Sequence, residues 1–341
     1  MPSSRAPLLA GLAAAFLLGL AAPGAQAQGT AAAPREFIVA TAPVNSPLGR
    51  WGNAFVERLK ADQAVSEAIT AGALPNVALL QSGRVAIGLV SLDVAAAAWG
   101  GTSPMAPGMK FDHLRALAPV APAAVLRFVV PAGSGIASAS GLADKRVAVA
   151  TDDALTEPML TALGIKATLR RLPLAEVAKQ FADKKIDAVA VIGLEPFALP
   201  AQQPAVTFGL TVAEIARVAS VIPGVAAAPV PLPPATPAPA PAADPAAVTD
   251  PAAAPAALPQ QPLPPSAGMW TWLVATDALP EDVARRATEI AVGEASSLAE
   301  TAGFEASPAL DPLTNRALPF HRGAAAAWAA QGITVPPDQV R

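Results

Sequence analysis

Several short polar stretches, each directly after an apolar run of strand length, hold the side chains that could do chemistry in this chain. Thr41, Asn45 and Ser46 follow Glu36–Ala40. Ser91 and Asp93 follow Val85–Val90. Thr151, Asp152, Asp153 and Thr156 follow Val147–Ala150, and Glu195 comes soon after Ile186–Ile192. Asn76 starts the helical pattern that leads into Val85. In open α/β sheets ligands bind outside the carboxyl ends of the strands, so these residues read as the lining of a ligand cleft. Hydroxyls, an amide and carboxylates can bind a solute by hydrogen bonds and charge. The carboxylates have a second reading, because Asp is among the best helix caps. Asp93, Asp152 and Asp153 therefore stand as either ligand groups or caps, and Asn76 carries the same ambiguity.

Bond-breaking chemistry finds no support. The chain has no cysteine and only two histidines, His113 and His321. Nucleophilic catalysis needs an activated Ser, Thr or Cys beside a base, and no G-x-S-x-G elbow is present. Gly133-Ser134-Gly135 is too short for a phosphate loop and lacks its lysine. His321 has no partner constellation and reads as a packed structural residue. The missing thiols exclude disulfides, and the histidine count excludes a histidine-rich metal site. We expect no enzyme activity and no cofactor. A net charge of −3 without a dense basic run argues against nucleic acid. Arg50 and Arg127 are candidate carboxylate partners, because a guanidinium grips a carboxylate with two hydrogen bonds.

The elements that position these residues alternate. Strand 36–40 leads to a helix ending near Lys60, and Ala64–Thr70 reads as a weak strand. Asn76–Gln81 is helical, Val85–Val90 is a buried strand, and an alanine-rich helix opens at Ser91-Leu92-Asp93. Arg115–Val120 and Ala124–Val130 read as two further strands. A second block follows: strand 147–150, helix 157–163, strand 167–171, helix 174–183 and strand 186–192. Such alternation implies βαβ units and a mostly parallel sheet. Met269–Ala275 is a later strand, and Pro280 opens a helix with Glu281 and Asp282 in its first turn, which suits the helix dipole. The chain ends in an alanine helix closed by Gly332.

Two segments stand apart. Residues 1–27 read as a secretory signal: Arg5, the apolar core Leu8–Ala22, then the small-x-small site Ala25-Gln26-Ala27. A mature start near Gln28 in the periplasm is expected. From Ala226 to Ser266 the chain is mostly proline and alanine, a composition that forbids helix and sheet ladders over a long run. It reads as polyproline II or disorder, serving either as a passive linker or as a recognition segment.

The stretch Asn76–Gly100, with Asn76, Leu80, Gly83, Asp93, Val94 and Gly100, resembles the TAXI family of solute-binding receptors that feed TRAP transporters. Ser134-Gly135-Ile136 with Gly141–Val147, Lys185-Ile186-Asp187-Ala188 followed by Pro196, and Pro319-Phe320-His321-Arg322-Gly323-Ala324 extend the match in order. The resemblance implies an α/β fold of the two-lobed periplasmic binding protein kind (type II-like), with a hinge and a cleft. It implies a small organic solute and a TRAP-type membrane permease as partners. The expected organisation is signal peptide 1–27, lobe 1 28–125, lobe 2 126–225, insertion 226–267, and a return strand with carboxy-terminal helices over 268–341. The chain departs from the family at both binding loops. Pro43 and Pro47 stand in the glycine-rich first loop, and Leu48 and Gly49 replace its tyrosines. Of the family's Gly-Ser-Gly-Thr second loop only Thr156 remains. Either the solute is not an anion, or the protein is a scaffold that kept the fold and lost the ligand.

Overall fold

The computed structural model describes residues 36–194, 204–230, 263–304 and 310–341. The signal segment, most of the proline–alanine tract, Glu195 and Pro196 lie outside the described residues. Among the described residues no helix is long and apolar enough to cross a membrane.

The first flank is β1 (Phe37–Ala40), β2 (Val65–Ala68) and β3 (Ile87–Ser91), with helices α1 (Pro47–Leu59), α2 (Ala73–Gln81) and α3 (Leu92–Gly100). The next strand, β4 (Leu114–Pro131), is a single element of 18 residues. The second flank has β5 (Arg146–Ala150), α4 (Thr156–Leu163), β6 (Thr168–Leu172), α5 (Leu174–Ala182) and β7 (Ala188–Gly193). Then come β8 (Ala205–Phe208), α6 (Val212–Ala219), β9 (Val225–Ala228) and the long return strand β10 (Ser266–Thr276). Helices α7 (Glu281–Gly293), α8 (Ala295–Ala302) and α9 (Arg322–Ala330) finish the chain.

Among the described residues one sheet carries all ten strands, in the order β2-β1-β3-β10-β4-β7-β5-β6, with β8 on β4 and β9 on β10. The α/β class holds. The flanks are parallel, as the βαβ alternation requires: β1 with β2 and β3, β5 with β6 and β7. The centre is antiparallel, because β10 returns between β3 and β4 and β4 pairs antiparallel with β7. The sheet is therefore mixed rather than mostly parallel.

β4 also corrects the reading of two strands split by prolines. Along β10 its partners step from Ala124 to Pro122, from Ala121 to Pro119 and from Ala118 to Ala116. Ala123, Val120 and Leu117 are thereby bulged out, two of them beside a proline. Proline cannot donate to a ladder and is tolerated at bulges, so the strand bends through its prolines instead of ending there.

The apolar interior falls into clusters along these two strands. Val125 joins a large cluster with Phe55, Trp272, Phe320 and the α7–α9 face; Leu126 joins a second, with Phe128, Met159, Leu160 and Ile215. A small third cluster lies under α5 around Val177 and Phe181. The edges of the proline–alanine tract belong to these cores. Ala226–Ala228, the greater part of β9, pair with Ser266–Gly268, and Val230 is buried. Sequence composition hid this, because a short alanine run bounded by prolines becomes a strand only when β10 supplies its partner.

The carboxy-terminal motif is structural. The His321 Nδ1 accepts from Gly323 N–H at 3.1 Å and caps α9, while Nε2 lies 2.9 Å from the Leu279 carbonyl ahead of α7. Gly323 sits where a Cβ would meet the Glu281 carbonyl at 2.0 Å, so α9 starts backbone-to-backbone on α7. Burial holds the imidazole below its usual value near 6.5. Its neutral form is the one the fold needs, so this stabilisation is full above about pH 6.5 and is lost as pH falls through the depressed folded-state value. Urea titrations across pH 4–8 should show that loss in the native chain. His321→Ala should cost on the order of 1–2 kcal/mol at pH 7.5 and flatten the acid limb; an unchanged limb would place the sensitivity elsewhere.

Replacing residues 231–262 with a short Gly/Ser loop should shift the melting temperature by only a few degrees. A deletion that also removes Ala226–Ala228 should lower it much further, because it strips β10 of a partner strand. Equal effects of the two deletions would count against that assignment.

Candidate functional site

Strand register brings the carboxyl ends of the two flanks together. β3 ends at Ser91, paired with Thr271, which pairs in turn with Ala121 of β4. β7 runs the other way and ends at Gly193, paired with Val125 of β4. The carboxyl ends of both flanks thus converge on the middle of β4. Three residues lie between them, four steps of strand or roughly 13 Å at about 3.3 Å per step. β1 and β2 end alongside β3, and β5 ends alongside β7.

On the first flank the polar residues form a connected bracket. The Asn76 side chain, fully buried, donates to the carbonyls of Thr41 and Leu89, each at 2.8 Å. Its Oδ1 lies 2.6 Å from the Thr70 hydroxyl. Buried Thr41 donates to Glu67 at 2.7 Å, and Glu67 also accepts from Asn53 at 3.0 Å. Asn76 thereby ties the ends of β1 and β3 and the loop after β2 into one unit, using both of its amide protons. Glu67 and Thr70 were missed from sequence; the only signal was their place at the end of a weak strand. Ser46 caps α1, accepting from Gly49 N–H at 3.0 Å and donating to the Pro43 carbonyl at 2.7 Å. Asn45 is exposed, and its carbonyl accepts from Arg50 at 2.9 Å. Arg50 also donates to the Ala302 carbonyl at 2.6 Å, which commits it to α8.

Ser91 is the residue before α3 and makes no side-chain cap. Asp93 lies in the first turn of α3; its Oδ1 is buried without a hydrogen-bond partner. Gly224, just before β9, packs so closely here that a Cβ would come within 2.8 Å of the Asp93 amide nitrogen.

On the second flank Asp153 is the cap of α4. Its Oδ1 accepts from Leu155 N–H at 2.8 Å and Thr156 N–H at 2.9 Å, and its Oδ2 from the buried Thr156 hydroxyl. The Asp153 carbonyl accepts from Arg171. Thr151 and Asp152 are exposed beside it. Glu195 lies outside the described residues. Arg127 sits between the flanks on β4, only 1% exposed, and donates to the Gly193 carbonyl at 2.9 Å. Burial pushes its guanidinium below the usual arginine range.

The structure therefore places Thr41, Asn45, Ser46, Ser91, Asp93, Thr151, Asp152, Asp153 and Thr156 at or just after strand ends on both flanks, with Asn76 on α2 reaching them by its side chain. It also gives Asn76, Thr41, Ser46, Asp153 and Thr156 intramolecular partners. A separate cavity of about 650 Å³ includes none of these residues. Trp270, Trp328, Phe304 and Leu313 line it against Pro119 of β4.

Asn76→Ala would leave the buried Thr41 and Leu89 carbonyls without that donor. It should destabilise the chain by about 2–4 kcal/mol in urea titrations. Asp153→Ala removes an N-cap and should cost only about 1 kcal/mol. The reverse order would mean that the bracket is not what holds the first-flank loops.

A family model described as the NMT1-like family matches residues 47–332. None of the curated proteins compared matches the chain. Similar solved structures include a TctC solute binding protein from Polaromonas, 13% identical, covering 82% of this chain and 92% of that one with a TM-score of 0.48. The periplasmic aliphatic sulphonate binding protein SsuA from Escherichia coli is 12% identical over 80% of each chain, with a TM-score of 0.39. XAC2383 from Xanthomonas citri, bound to chloride ion, is 12% identical over 83% of this chain and 94% of that one, with a TM-score of 0.41. By the family model, which spans most of its length, this chain belongs to the NMT1-like family.

Proposed function

We propose that this protein is a periplasmic solute-binding receptor of a membrane transport system and not an enzyme. The observation that carries the reading is the convergence of strand carboxyl ends from both flanks on the middle of β4. Open α/β sheets place ligands at such points. Two lobes, divided near Val125 and Leu126 where the apolar clusters change, would close on a small solute. β4 and β10 would act as the hinge, with the bulges at Val120 and Ala123 taking up the bend. The finer assignment, a TAXI-type receptor delivering to a TRAP-type permease, rests on the order of the motifs from Asn76 to Ala324. Export rests on the amino-terminal pattern ending at Ala27.

The second reading is a scaffold that keeps the fold without a ligand. The self-satisfied loops at Ser46 and Asp153 favour it. A thermal-shift screen of small cationic, neutral and anionic solutes separates the two. A receptor gains about 2.7 kcal/mol of stability from its solute at a hundred times its dissociation constant. At least one solute class should therefore raise the melting temperature in a dose-dependent way. A flat response across the whole screen would sink the receptor reading in favour of the scaffold.

A further inference from the structure

We infer that the cavity under the carboxy-terminal helices is a second binding site, and that its ligand is an uncharged molecule with an aromatic or alicyclic body. The site stands apart from the strand ends, so the inference does not depend on the receptor reading.

The cavity exists because small residues face the sheet. Ala291 lies near the end of α7, and Ala295 and Ala299 lie one turn apart on α8. Beyond α9, Gly332 at φ +81° turns the chain into Ile333. Opposite them stand Pro119, Val120 and Ala121 of β4 with Trp270 of β10. About 650 Å³ is left unfilled between helices and sheet. Voids in a well-packed interior seldom exceed a water molecule, and this volume falls within the range that holds a small-molecule ligand.

The lining is sorted by depth. Trp270, Trp328, Ala121, Ala291 and Pro312 are buried. Val120, Phe304, Leu310, Leu313 and Ile333 are only half-buried and lie on the margin of the large apolar cluster. Five large apolar side chains thus remain incompletely covered around one space, which is the signature of a surface that takes an apolar partner. Ser296, Asp311, Gln331 and Thr334 are exposed and form a polar rim.

The polar inventory sets the ligand class. Both indole N–H groups are committed to the backbone, Trp270 to the Ala227 carbonyl at 3.2 Å and Trp328 to the Leu117 carbonyl at 2.9 Å. The rings therefore offer only carbon surface, which suits a flat apolar partner. Among the described residues no Lys, Arg or His lines the cavity. A carboxylate or sulfonate would lose its hydration there without gaining a counter-charge. The charged lining residue, Asp311, is at the rim, and its Oδ1 already accepts from Leu313 N–H at 2.9 Å. Its charge opposes the entry of an anion, and water screens it too well to hold a cation firmly.

The test is a fluorescence titration of the full mature chain with N-phenyl-1-naphthylamine, an uncharged probe of this class. Its sulfonated analogue, 1-anilinonaphthalene-8-sulfonate, is the anionic control. Two variants localise the site: Ala291→Leu fills the floor, and Ala295→Phe narrows the mouth from an exposed position. The neutral probe should bind at one saturable site and quench tryptophan emission. Each variant should weaken it by about tenfold or more, and the sulfonate should bind at least about tenfold more weakly than the neutral probe. Ligand-free Ala291→Leu should melt no lower than the native chain, because its added carbons enter empty space. No binding of the neutral probe, or binding that neither variant weakens, would overturn the inference. Sulfonate bound as tightly as the neutral probe would overturn the ligand class. A clear drop in the melting temperature of Ala291→Leu would show that the chain itself fills the space. Tighter probe binding once residues 231–262 are replaced by the Gly/Ser loop would identify that tract as the occupant. Either of these two results overturns the inference. The solute screen is untouched by all of them, so the receptor reading stands or falls separately.

Discussion

The antiparallel pairing of β4 with β10 is the constraint on which the rest of the structure depends. Both strands, with the short β9 beside them, contribute to both large apolar clusters. Each flank is a parallel unit of three strands, and each needs an antiparallel edge to attach to. β10 offers one to β3 and β4 offers one to β7. Because β4 and β10 run in opposite directions, the two flanks are forced to run in opposite directions too. Their carboxyl ends must therefore face the same point, so the convergence follows from the strand directions and not from any particular residue at it.

The same pair shows how composition bends to topology. Prolines at 119 and 122 would end most strands. Here bulges beside them let the ladder resume, because β10 is long and apolar enough to hold register on both sides. The indoles add fixed points: Trp270 donates to the Ala227 carbonyl at 3.2 Å and Trp328 to the Leu117 carbonyl at 2.9 Å, so β9 and α9 are each pinned to the central strands. The Trp272 ring packs edge-on against Phe320 at 6.1 Å and joins β10 to the carboxy-terminal segment.

The crevice residues divide by what satisfies them. Buried polar groups need partners, and most of those at the strand ends find theirs within the loops. That rigidity positions whatever the crevice holds, and it also removes donors that a solute could have used. Asp93 departs from this pattern, with its Oδ1 buried and without a partner. The apolar cavity lined by Trp270 and Trp328 is of a different kind, built from the core side of the carboxy-terminal helices.

The sequence by itself determined the alternation of strands and helices on both flanks, most of the element boundaries, and the landing of the polar residues after strand ends. Apolar period and short polar breaks are local signals, and β1, α1, β3, α3, β5, α4 and β10 follow from them. It also identified the stretch around His321 as structural, from the lack of any partner constellation. Only the tertiary structure decided that 114–131 is one strand, that Ala226–Ala228 pairs with β10, and that α8 breaks away from α7 at Glu294. Those outcomes depend on partners distant in the chain. For the same reason the sequence left Asn76, Asp93 and Asp153 each with two readings. A buried amide with three partners, a carboxylate with none on one oxygen, and a helix cap look alike in one dimension. They differ only once the carbonyls and amides of other elements are brought around them.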